Sequence, residues 1–352
     1  MIMNLLKSGI LGSRRSFKFS ILTTVPNETF TLPLLAGTHN FSVNWGDGSA
    51  ENIVIAFNDV NRVHTYTAAG TYIISMNGTC TKFAFNDGGD KLKIKQLLDF
   101  VDMGFTTLNF YGCSNLTSIA SSMKKLESLT TAEKMFKNNT SLTSIPAGIF
   151  DGCMGITNFG GAFYGCSGLT TIPADLFSHH TLVTTFESTF KNCINAQLNI
   201  NIFYVPGAEG TRFLNMSVNF DNCFYRTSFS GVQGTAPDLW NCDFGTGTPT
   251  KTNCYAGAGN SLTSLSNYGD IPGKLLTINV SPVTDWAKGD IITGQTSGKT
   301  CIIVAKVTNT TYQVNSGVYT GWTSGEVIGV TGNNNKLVDQ KSGAPTFSAL
   351  WM

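Results

Sequence analysis

Residues 163–173, Phe-Tyr-Gly-Cys-Ser-Gly-Leu-Thr-Thr-Ile-Pro, are one copy of a motif that recurs through the middle of this chain. Related stretches begin at Phe110, Phe136, Phe190 and Phe220, so the copies follow one another at nearly constant steps, of which the last is slightly longer. Self-similarity at a fixed period of this length is typical of proteins built from stacked repeats. The repeat therefore decides the architecture of the central part of the chain.

A half-step is also present, since phenylalanines recur about twice in each repeat between positions 136 and 203. Half a repeat is too short for a strand and a returning helix, so the unit is expected to be the full repeat of about 27 residues. We expect each unit to contribute a short Leu-Thr-x-Ile strand and a short helix that ends at its phenylalanine. One unit cannot bury its apolar face alone, so stacking into a solenoid with a continuous core is predicted.

Cysteines recur within the same motif. The chain has nine, an odd number that cannot all pair within one chain. Four occupy one motif position, which favours buried thiols that pack as small hydrophobic side chains. A ladder of disulfides is the alternative. The residues that define the motif are Phe110, Cys113, Phe136, Phe163, Cys166, Phe190, Cys193, Phe220 and Cys223.

These motifs resemble the BspA-like leucine-rich repeats of bacterial surface proteins and of phage or prophage proteins. The resemblance covers roughly residues 97–272 and is strongest over 110–203. We assign residues 91–272 to the leucine-rich-repeat solenoid, regular over 110–223 and irregular over 224–272. The stretch 231–259 is rich in Gly, Thr and Pro and is expected to be irregular or to cap the last repeat.

The segment before the repeats alternates apolar and polar residues, for example in Phe-Lys-Phe-Ser-Ile-Leu at 17–22. Short alternating strands separated by turn residues predict a β-sandwich over residues 17–90. Within it, Asn-Trp-Gly-Asp-Gly-Ser is followed by His-Thr-Tyr and by Ala-Gly-Thr-Tyr. These motifs resemble the PKD-type immunoglobulin-like domain, which implies a spacer or adhesive module. The motif residues are Trp45, Gly46, Asp47, Gly48, His64, Tyr66, Gly70 and Tyr72.

The last segment, residues 273–352, alternates strand-forming runs with Gly-rich turns. Its order of Gly-Asp-x-Ile, Gly-Gln-Thr-Ser-Gly and Gly-Glu-x-Ile-x-Gly resembles a small β module of tailed-phage virion proteins. A small β-barrel or sandwich is expected there. Residues 1–16 are apolar and basic and are interpreted as an N-terminal docking arm. The predicted fold class is thus mainly β and multidomain.

Composition limits the partners. Charged residues make up 13% of the chain and the formal net charge is +1, with no basic stripe of the kind that nucleic-acid binding needs. No run approaches about 20 apolar residues, so no membrane-spanning helix is expected. The first residues lack a basic start followed by an apolar core, and no secretory leader is predicted.

Few residues suggest chemistry. The sequence has no nucleophile elbow, no zinc-type cysteine pair and no phosphate loop, so no catalytic residue and no cofactor is predicted. The pair at 179–180 falls on a repeat turn, at the place of Gly-Cys in other copies. Asp87 and Asp90 are weak candidates for calcium, because that ion prefers several oxygen ligands. A plain turn between two modules is the interpretation we favour for them.

These observations predict a structural component of a bacteriophage particle, exposed as a fibre, tail or capsid-decoration protein and assembled in the host cytoplasm. It is expected to be a non-enzyme, present in many copies or as a homo-oligomer. Its expected partners are other virion proteins of the capsid, tail or collar, and a protein or glycan of the host surface. A bacterial adhesin with the same repeats is the first alternative, and a glycan-cleaving spike protein is the second.

Overall fold

The computed structural model describes residues 16–120, 123, 126–205, 207–208, 211–228, 234–237, 239, 242 and 244–258, and the backbone of strands between 262 and 349. This part of the chain is mainly β, as the sequence predicts. Its helical parts are two three-residue 3-10 helices, at Val60–Arg62 and Lys91–Lys93, and Leu239, which is also in 3-10 conformation. No helix in these described ranges is long and apolar enough to cross a membrane.

A six-stranded sheet dominates the first third of the chain. Its spatial order is β10-β8-β1-β6-β3-β4, and two-stranded sheets pair β2 with β5 and β7 with β9. The alternation seen in the sequence places one set of side chains in the core: Phe17, Phe19 and Ile21 are fully buried. The strands are β1 (Phe17–Thr23), β2 (Glu28–Thr31), β3 (His39–Asn44), β4 (Asn52–Val54), β5 (Val63–Tyr66), β6 (Gly70–Cys80), β7 (Lys82–Ala84), β8 (Ile94–Asp99), β9 (Thr107–Asn109) and β10 (Ser118–Ile119).

The sheet continues past residue 90, where the sequence analysis separated two modules. Strand β8 pairs antiparallel with β1 and parallel with β10. Strand β7 pairs in parallel with β9, which lies about one repeat further along the chain, and this is the first pair of the repeating stack. One cluster of buried apolar side chains runs from Phe17 to Ala258. The first module and the repeats therefore share a core.

In the repeat region, successive turns of the chain, here called coils, lie in parallel on one another. Isolated parallel bridges join Thr131 to Asn158 and Asn158 to Thr185, so each bridge spans one repeat. The next steps are longer, from Thr185 to Asn219 and from Asn219 to Thr250. Backbone hydrogen bonds between coils extend as far as the carbonyl of Ala256. Parallel stacking thus continues beyond the copies that the sequence motif defines.

The prediction of a short helix in each repeat is wrong. The described parts of the coils are mainly turns and contain no α-helix. The backbone shows why. Lys134, Phe136 and Asn138 donate their N–H groups to carbonyls one coil further on, so these groups are not used within a helix. Residues at two recurring positions of the coils also have positive φ, which ends a right-handed helix. These residues are Lys134, Gly161, Ser188, Asn222 and Asn253 at the first position, and Gly112, Asn138, Gly165, Asn192, Arg226 and Gly257 at the second.

Phenylalanines form the inner columns of the stack. Phe136 and Phe163 are stacked with ring centroids 5.5 Å apart, and Phe163 and Phe190 are stacked at the same separation. The half-step phenylalanines form a second column, in which Phe150 stacks on Phe177 at 6.3 Å. Offset aromatic pairs at such distances add to the free energy of burial. The half-step in the sequence therefore reflects two columns on opposite sides of one coil.

The fifth motif copy is in a different register from the one that the sequence suggested. Phe220 stacks on Phe186 at 5.6 Å, whereas Phe224 stacks on Phe190 at 5.8 Å. Cys223 consequently does not occupy the position of Cys193. The extra residues between Thr185 and Asn219 displace the motif by four positions.

The backbone of the last segment forms one antiparallel sheet of seven strands, in the order β18-β17-β14-β15-β16-β13-β19. This agrees with the predicted β character of residues 273–352, whereas residues 1–15, most of the proposed docking arm, lie outside the described residues. A short parallel pair, β11 (Gly234–Thr235) with β12 (Leu262–Thr263), precedes the sheet. The strands of the seven-stranded sheet are β13 (Lys274–Thr277), β14 (Ile291–Gly294), β15 (Thr300–Lys306), β16 (Thr311–Asn315), β17 (Ile328–Thr331), β18 (Leu337–Val338) and β19 (Thr346–Ala349).

Candidate functional site: a polar face on the stacked coils

The motif residues between Trp45 and Tyr72 come together around the turn after β3. The Trp45 and His64 rings are stacked with centroids 4.9 Å apart, and His64 Nε2 lies 2.7 Å from Asp47 Oδ2. The Tyr66 hydroxyl donates to the Trp45 carbonyl oxygen over 3.0 Å, and the Tyr66 ring stacks on Tyr72. These contacts close a turn between neighbouring strands, so the cluster is structural.

Asp47 is the charged member of this cluster. Partial burial raises the pKa of its carboxyl, but hydrogen bonds from Ser49 and His64 outweigh burial and bring the pKa to about 2. The Ser49 hydroxyl donates to Asp47 Oδ1 over 2.6 Å, so it does not contact His64. The three side chains therefore lack the order of contacts that activates a serine nucleophile.

The two weak candidates for calcium, Asp87 and Asp90, contact different partners. Asp87 forms an ion pair with Lys91. Asp90 pairs with Lys93 Nζ over 2.7 Å and accepts the backbone N–H of Thr31. Both carboxylates thus hold the junction between the first sheet and the coils. No group of three or more potential metal ligands occurs among the described residues.

His180 and the motif cysteines form the same kind of hydrogen bond, from a buried side chain to a backbone carbonyl of the preceding coil. His180 is buried and its Nε2 donates to the Phe150 carbonyl oxygen at 3.2 Å. Cys166 Sγ donates to the Phe136 carbonyl oxygen at 3.0 Å, and Cys193 Sγ donates to that of Phe163. The eight cysteines within the described residues are free and buried. In this structure they are thiols, not the disulfide ladder that the sequence left open.

The outer surface of the coils carries a row of alternating tyrosine and lysine. Lys137 Nζ lies 4.9 Å from the ring centroid of Tyr111 and 4.7 Å from that of Tyr164. Lys191 Nζ lies 5.9 Å from Tyr164 and 4.8 Å from Tyr225. Cations over aromatic faces are attracted by the ring quadrupole. The row therefore has a true period of two coils.

Parallel to it runs a row that alternates in the same way. Glu133 and Glu187 are two coils apart, and Gly160 occupies their position in the coil between them. Neighbouring parallel strands are about 4.8 Å apart, so the two glutamates are separated by about 10 Å along the stack. With no side chain at Gly160 and a backbone turn at Gly161, a hollow opens between them.

The hollow has a volume of about 340 Å³. Ligand pockets in proteins have volumes of roughly 300 to 1,000 Å³, so it has room for a small ligand or for part of a chain. Most of the side chains that line it carry a charged, amide or hydroxyl group: the lining residues are Glu133, Lys134, Lys137, Asn158, Gly160, Gly161, Tyr164, Thr185, Glu187 and Ser188.

The two carboxylates differ in their partners. Glu133 Oε1 pairs with Lys134 Nζ at 2.7 Å, and that hydrogen bond raises the pKa of the lysine. Glu187 Oε2 accepts a long contact of 3.4 Å from the Asn219 amide. In the described part of the chain Glu187 forms no ion pair, so it is the more available acceptor.

The hollow was not predicted, although the sequence contains a signal for it. The motif copies alternate between Phe-Tyr-Gly-Cys and Phe-Lys-Asn, which marks the two-coil period. On this face, threonine hydroxyls and tyrosine rings already have partners within the chain. The hydroxyls of Thr157 and Thr184 donate to backbone carbonyls of the preceding coil, and lysines cover the tyrosine rings.

A second cavity, of about 390 Å³, lies beside the junction and is lined in part by Glu28, Asp90 and Lys93. Three of its charged groups are already paired, because Lys93 Nζ contacts Glu28 Oε1 at 3.2 Å as well as Asp90, and Lys95 is the remaining charged residue of the lining. The hollow at Gly160 is thus the better candidate site.

In comparisons with known proteins, no family model matches the chain, and no curated protein or solved structure is significantly similar to it.

Proposed function

We propose that this chain is a structural component of a bacteriophage particle that is exposed on the particle and binds a host surface without catalysis. The observation that carries the proposal is the polar face, whose tyrosine, lysine and glutamate rows are held in register by the stacked coils. Repeated weak contacts of this kind gain strength when many copies act together. A particle that displays many copies supplies that condition.

The finer fold belongs to the same proposal. We infer that residues 17–90 form a PKD-type sandwich, that the coils form a BspA-like solenoid, and that the last segment is a phage-type β module. The cluster of Trp45, His64 and Tyr66 supports the first inference. The parallel bridges that each span one repeat support the second. A core shared by sheet and coils would hold the binding face at a fixed distance from the attachment point.

Labelling of particles and cells tests the assignment. Antibody against the purified chain, coupled to gold, should decorate assembled phage particles in electron micrographs. Decoration of the bacterial envelope in the absence of particles would overturn the virion assignment in favour of a bacterial adhesin. Removal of residues 1–16 should abolish incorporation into particles if that arm is the attachment point.

The non-catalytic part of the proposal has its own test. Beads coated with the chain should bind host cells, and incubation of the chain with purified host envelope polysaccharide should release no new reducing ends. Release of reducing ends that disappears in a Glu187→Gln variant would instead identify a glycan-cleaving protein.

A further inference from the structure

We propose that the hollow at Gly160 is a binding site for a neutral oligosaccharide. This inference rests on the proposed surface-binding function and names the ligand class and the site. It starts from a break in the pattern of the coils. The position of Gly160 is occupied in other coils by side chains, namely Thr107, Glu133, Glu187, Asp221 and Thr252.

Among these equivalent positions, the side chain is missing only at Gly160. Asp221 fills the equivalent place two coils further on, where its carboxylate accepts the backbone N–H of Thr252 at 2.5 Å. At Gly160 the nearest atoms to an added Cβ would be Asn158 Oδ1 at 2.9 Å and the Glu187 carbonyl oxygen at 3.8 Å. The end of the Asn158 side chain thus reaches the place of the absent Cβ, and no side chain of residue 160 covers the backbone between the two glutamates.

The charges of the lining favour a neutral ligand. Two carboxylates, Glu133 and Glu187, are balanced by two ammonium groups, Lys134 and Lys137. A polyanion would meet the carboxylates at both ends of the hollow, and a polycation would meet the lysines. A purely apolar ligand fits less well, because it would cover the charged and amide groups of the lining without replacing their hydrogen bonds to water.

The donor and acceptor pattern fits hydroxyl groups. A carboxylate offers two acceptor oxygens, an ammonium offers three donors, and an amide offers both. The lining places carboxylate, ammonium, amide and hydroxyl groups around one space, in Glu187, Lys137, Asn158, Thr185 and Ser188. Each hydroxyl of a sugar both donates and accepts, so adjacent hydroxyls can be satisfied together by such a set.

A protein partner fits this surface less well. Protein interfaces depend on a few aromatic or arginine anchors that enter desolvated pockets. Here the Tyr164 ring has Lys137 and Lys191 over it, at 4.7 and 5.9 Å, so it is not free to act as an anchor. The hollow would hold a ligand by its edges and hydroxyls.

Filling the hollow is the first test. Gly160→Thr places in this coil the residue that Thr107 and Thr252 supply in theirs, so the coil should still fold. Gly160 is absent from the positive-φ glycines, so its backbone conformation suits a side chain. The added Cβ would approach Asn158 Oδ1 to 2.9 Å, and the end of that side chain must move slightly. The equivalent pair of Asn219 and Asp221 has the same backbone-to-amide hydrogen bond with a side chain in place. Gly155→Thr is the matched control, because its added Cβ would lie 3.6 Å from the nearest atom in a different turn.

Removing the available acceptor is the second test. Glu187→Gln keeps the shape of the side chain and replaces one acceptor oxygen by a donor. Glu127→Gln is the matched control on an exposed residue outside the hollow. Far-ultraviolet circular dichroism and thermal unfolding establish that the four variants are folded.

The probe is an array of neutral oligosaccharides built from glucose, galactose, mannose and N-acetylhexosamines, with sialylated and sulfated counterparts. The full chain is applied on beads so that weak sites act together. Wild-type protein should bind a subset of the neutral glycans. Gly160→Thr and Glu187→Gln should lower the signal at least tenfold, whereas Gly155→Thr and Glu127→Gln should leave it unchanged.

Other outcomes overturn the site. Binding only to sialylated or sulfated glycans contradicts the neutral ligand, and binding that survives both hollow variants places the site elsewhere. No glycan binding, together with cell binding that Gly160→Thr abolishes and protease treatment of the cells removes, identifies a protein ligand. In that case the saccharide inference fails while the proposed surface-binding function stands.

Discussion

His180 Nε2 donates a hydrogen bond to the carbonyl oxygen of Phe150, one coil away, over 3.2 Å. The imidazole is 1% exposed, and the rings of Phe150 and Phe159 meet it edge-on. Burial lowers the pKa of His180 to about 4, and the nearby Arg212 guanidinium also lowers it. The folded protein thus keeps a neutral imidazole at a pH where the unfolded chain would protonate it.

This relationship predicts an acid-sensitive stack. The folded pKa lies below the unfolded value, so the contribution of His180 to stability is complete above about pH 6.5 and decreases as the pH falls towards 4. Complete loss corresponds to about 3 kcal/mol of unfolding free energy. Urea unfolding of the full chain at pH 7.5, 6, 5 and 4 should show this decrease.

A variant isolates the effect. His180→Cys introduces the residue that the neighbouring coil has at Cys153, which donates to the Met123 carbonyl oxygen. It should flatten the dependence between pH 6.5 and 4, whereas His179→Cys, at an exposed position, should leave it as in the wild type. An unchanged slope in His180→Cys would show that another group causes the acid sensitivity.

The turn after β3 makes a second prediction, from two glycines two residues apart. Gly46 and Gly48 both have positive φ, of 82° and 85°. A Cβ at Gly46 would collide with the backbone of Ile73, whereas one at Gly48 meets nothing within 4 Å. Gly46→Ala should therefore cost about 3 kcal/mol or more, from conformation and collision together.

Gly48→Ala should cost only the left-handed backbone penalty of about 1 kcal/mol. Guanidinium unfolding of the two variants measures the difference directly. Equal costs would mean that the close approach of Gly46 to Ile73 is absent in solution.

The alternating strands of the first sheet could be predicted because a two-residue period is a local signal. Residues 17–22 lie in β1, as the alternation indicated. The turns of the coils could not be predicted in the same way. Asn138 and Lys134 have positive φ and donate their N–H groups to the next coil, so the partners that fix these turns are a whole repeat away in the sequence.

The candidate site shows the same limit. The glycines at 160 and 161 are visible in the sequence, but the hollow arises only because glutamates two coils apart face the same gap. The predicted register of Phe220 was wrong for a related reason. Phe220 begins the better match to the motif, Phe-Asp-Asn-Cys, whereas Phe224 begins Phe-Tyr-Arg-Thr. Only the stacking of Phe224 on Phe190 shows which phenylalanine continues the column.

A third prediction concerns the contact between Asn138 and Gly165, which occupy equivalent positions in successive coils. Gly165 has a φ of 71°, and a Cβ added to it would collide with Asn138 Oδ1. Gly165→Ala should cost about 2 kcal/mol, part from the left-handed backbone and part from the displaced amide.

Asn138→Gly removes the obstructing amide, so in that background Gly165→Ala should cost only about 1 kcal/mol. The difference is a coupling energy that a double-mutant cycle measures by thermal or chemical unfolding. Additive effects would contradict the alternation of large and small residues along this column.

The last prediction concerns the thiols. Burial raises the pKa of Cys153 and of Cys166 to about 12, so neither thiol forms a reactive thiolate at neutral pH. A Cys301→Ala variant leaves only the eight cysteines that the structure describes as free and buried. In its native state this variant should react with Ellman's reagent very slowly at pH 8. After unfolding in guanidinium without reductant, all eight thiols should titrate at once. A titre lower by two for each bond formed would reveal disulfides between coils, and fast native labelling would show that the corners of the coils open to solvent.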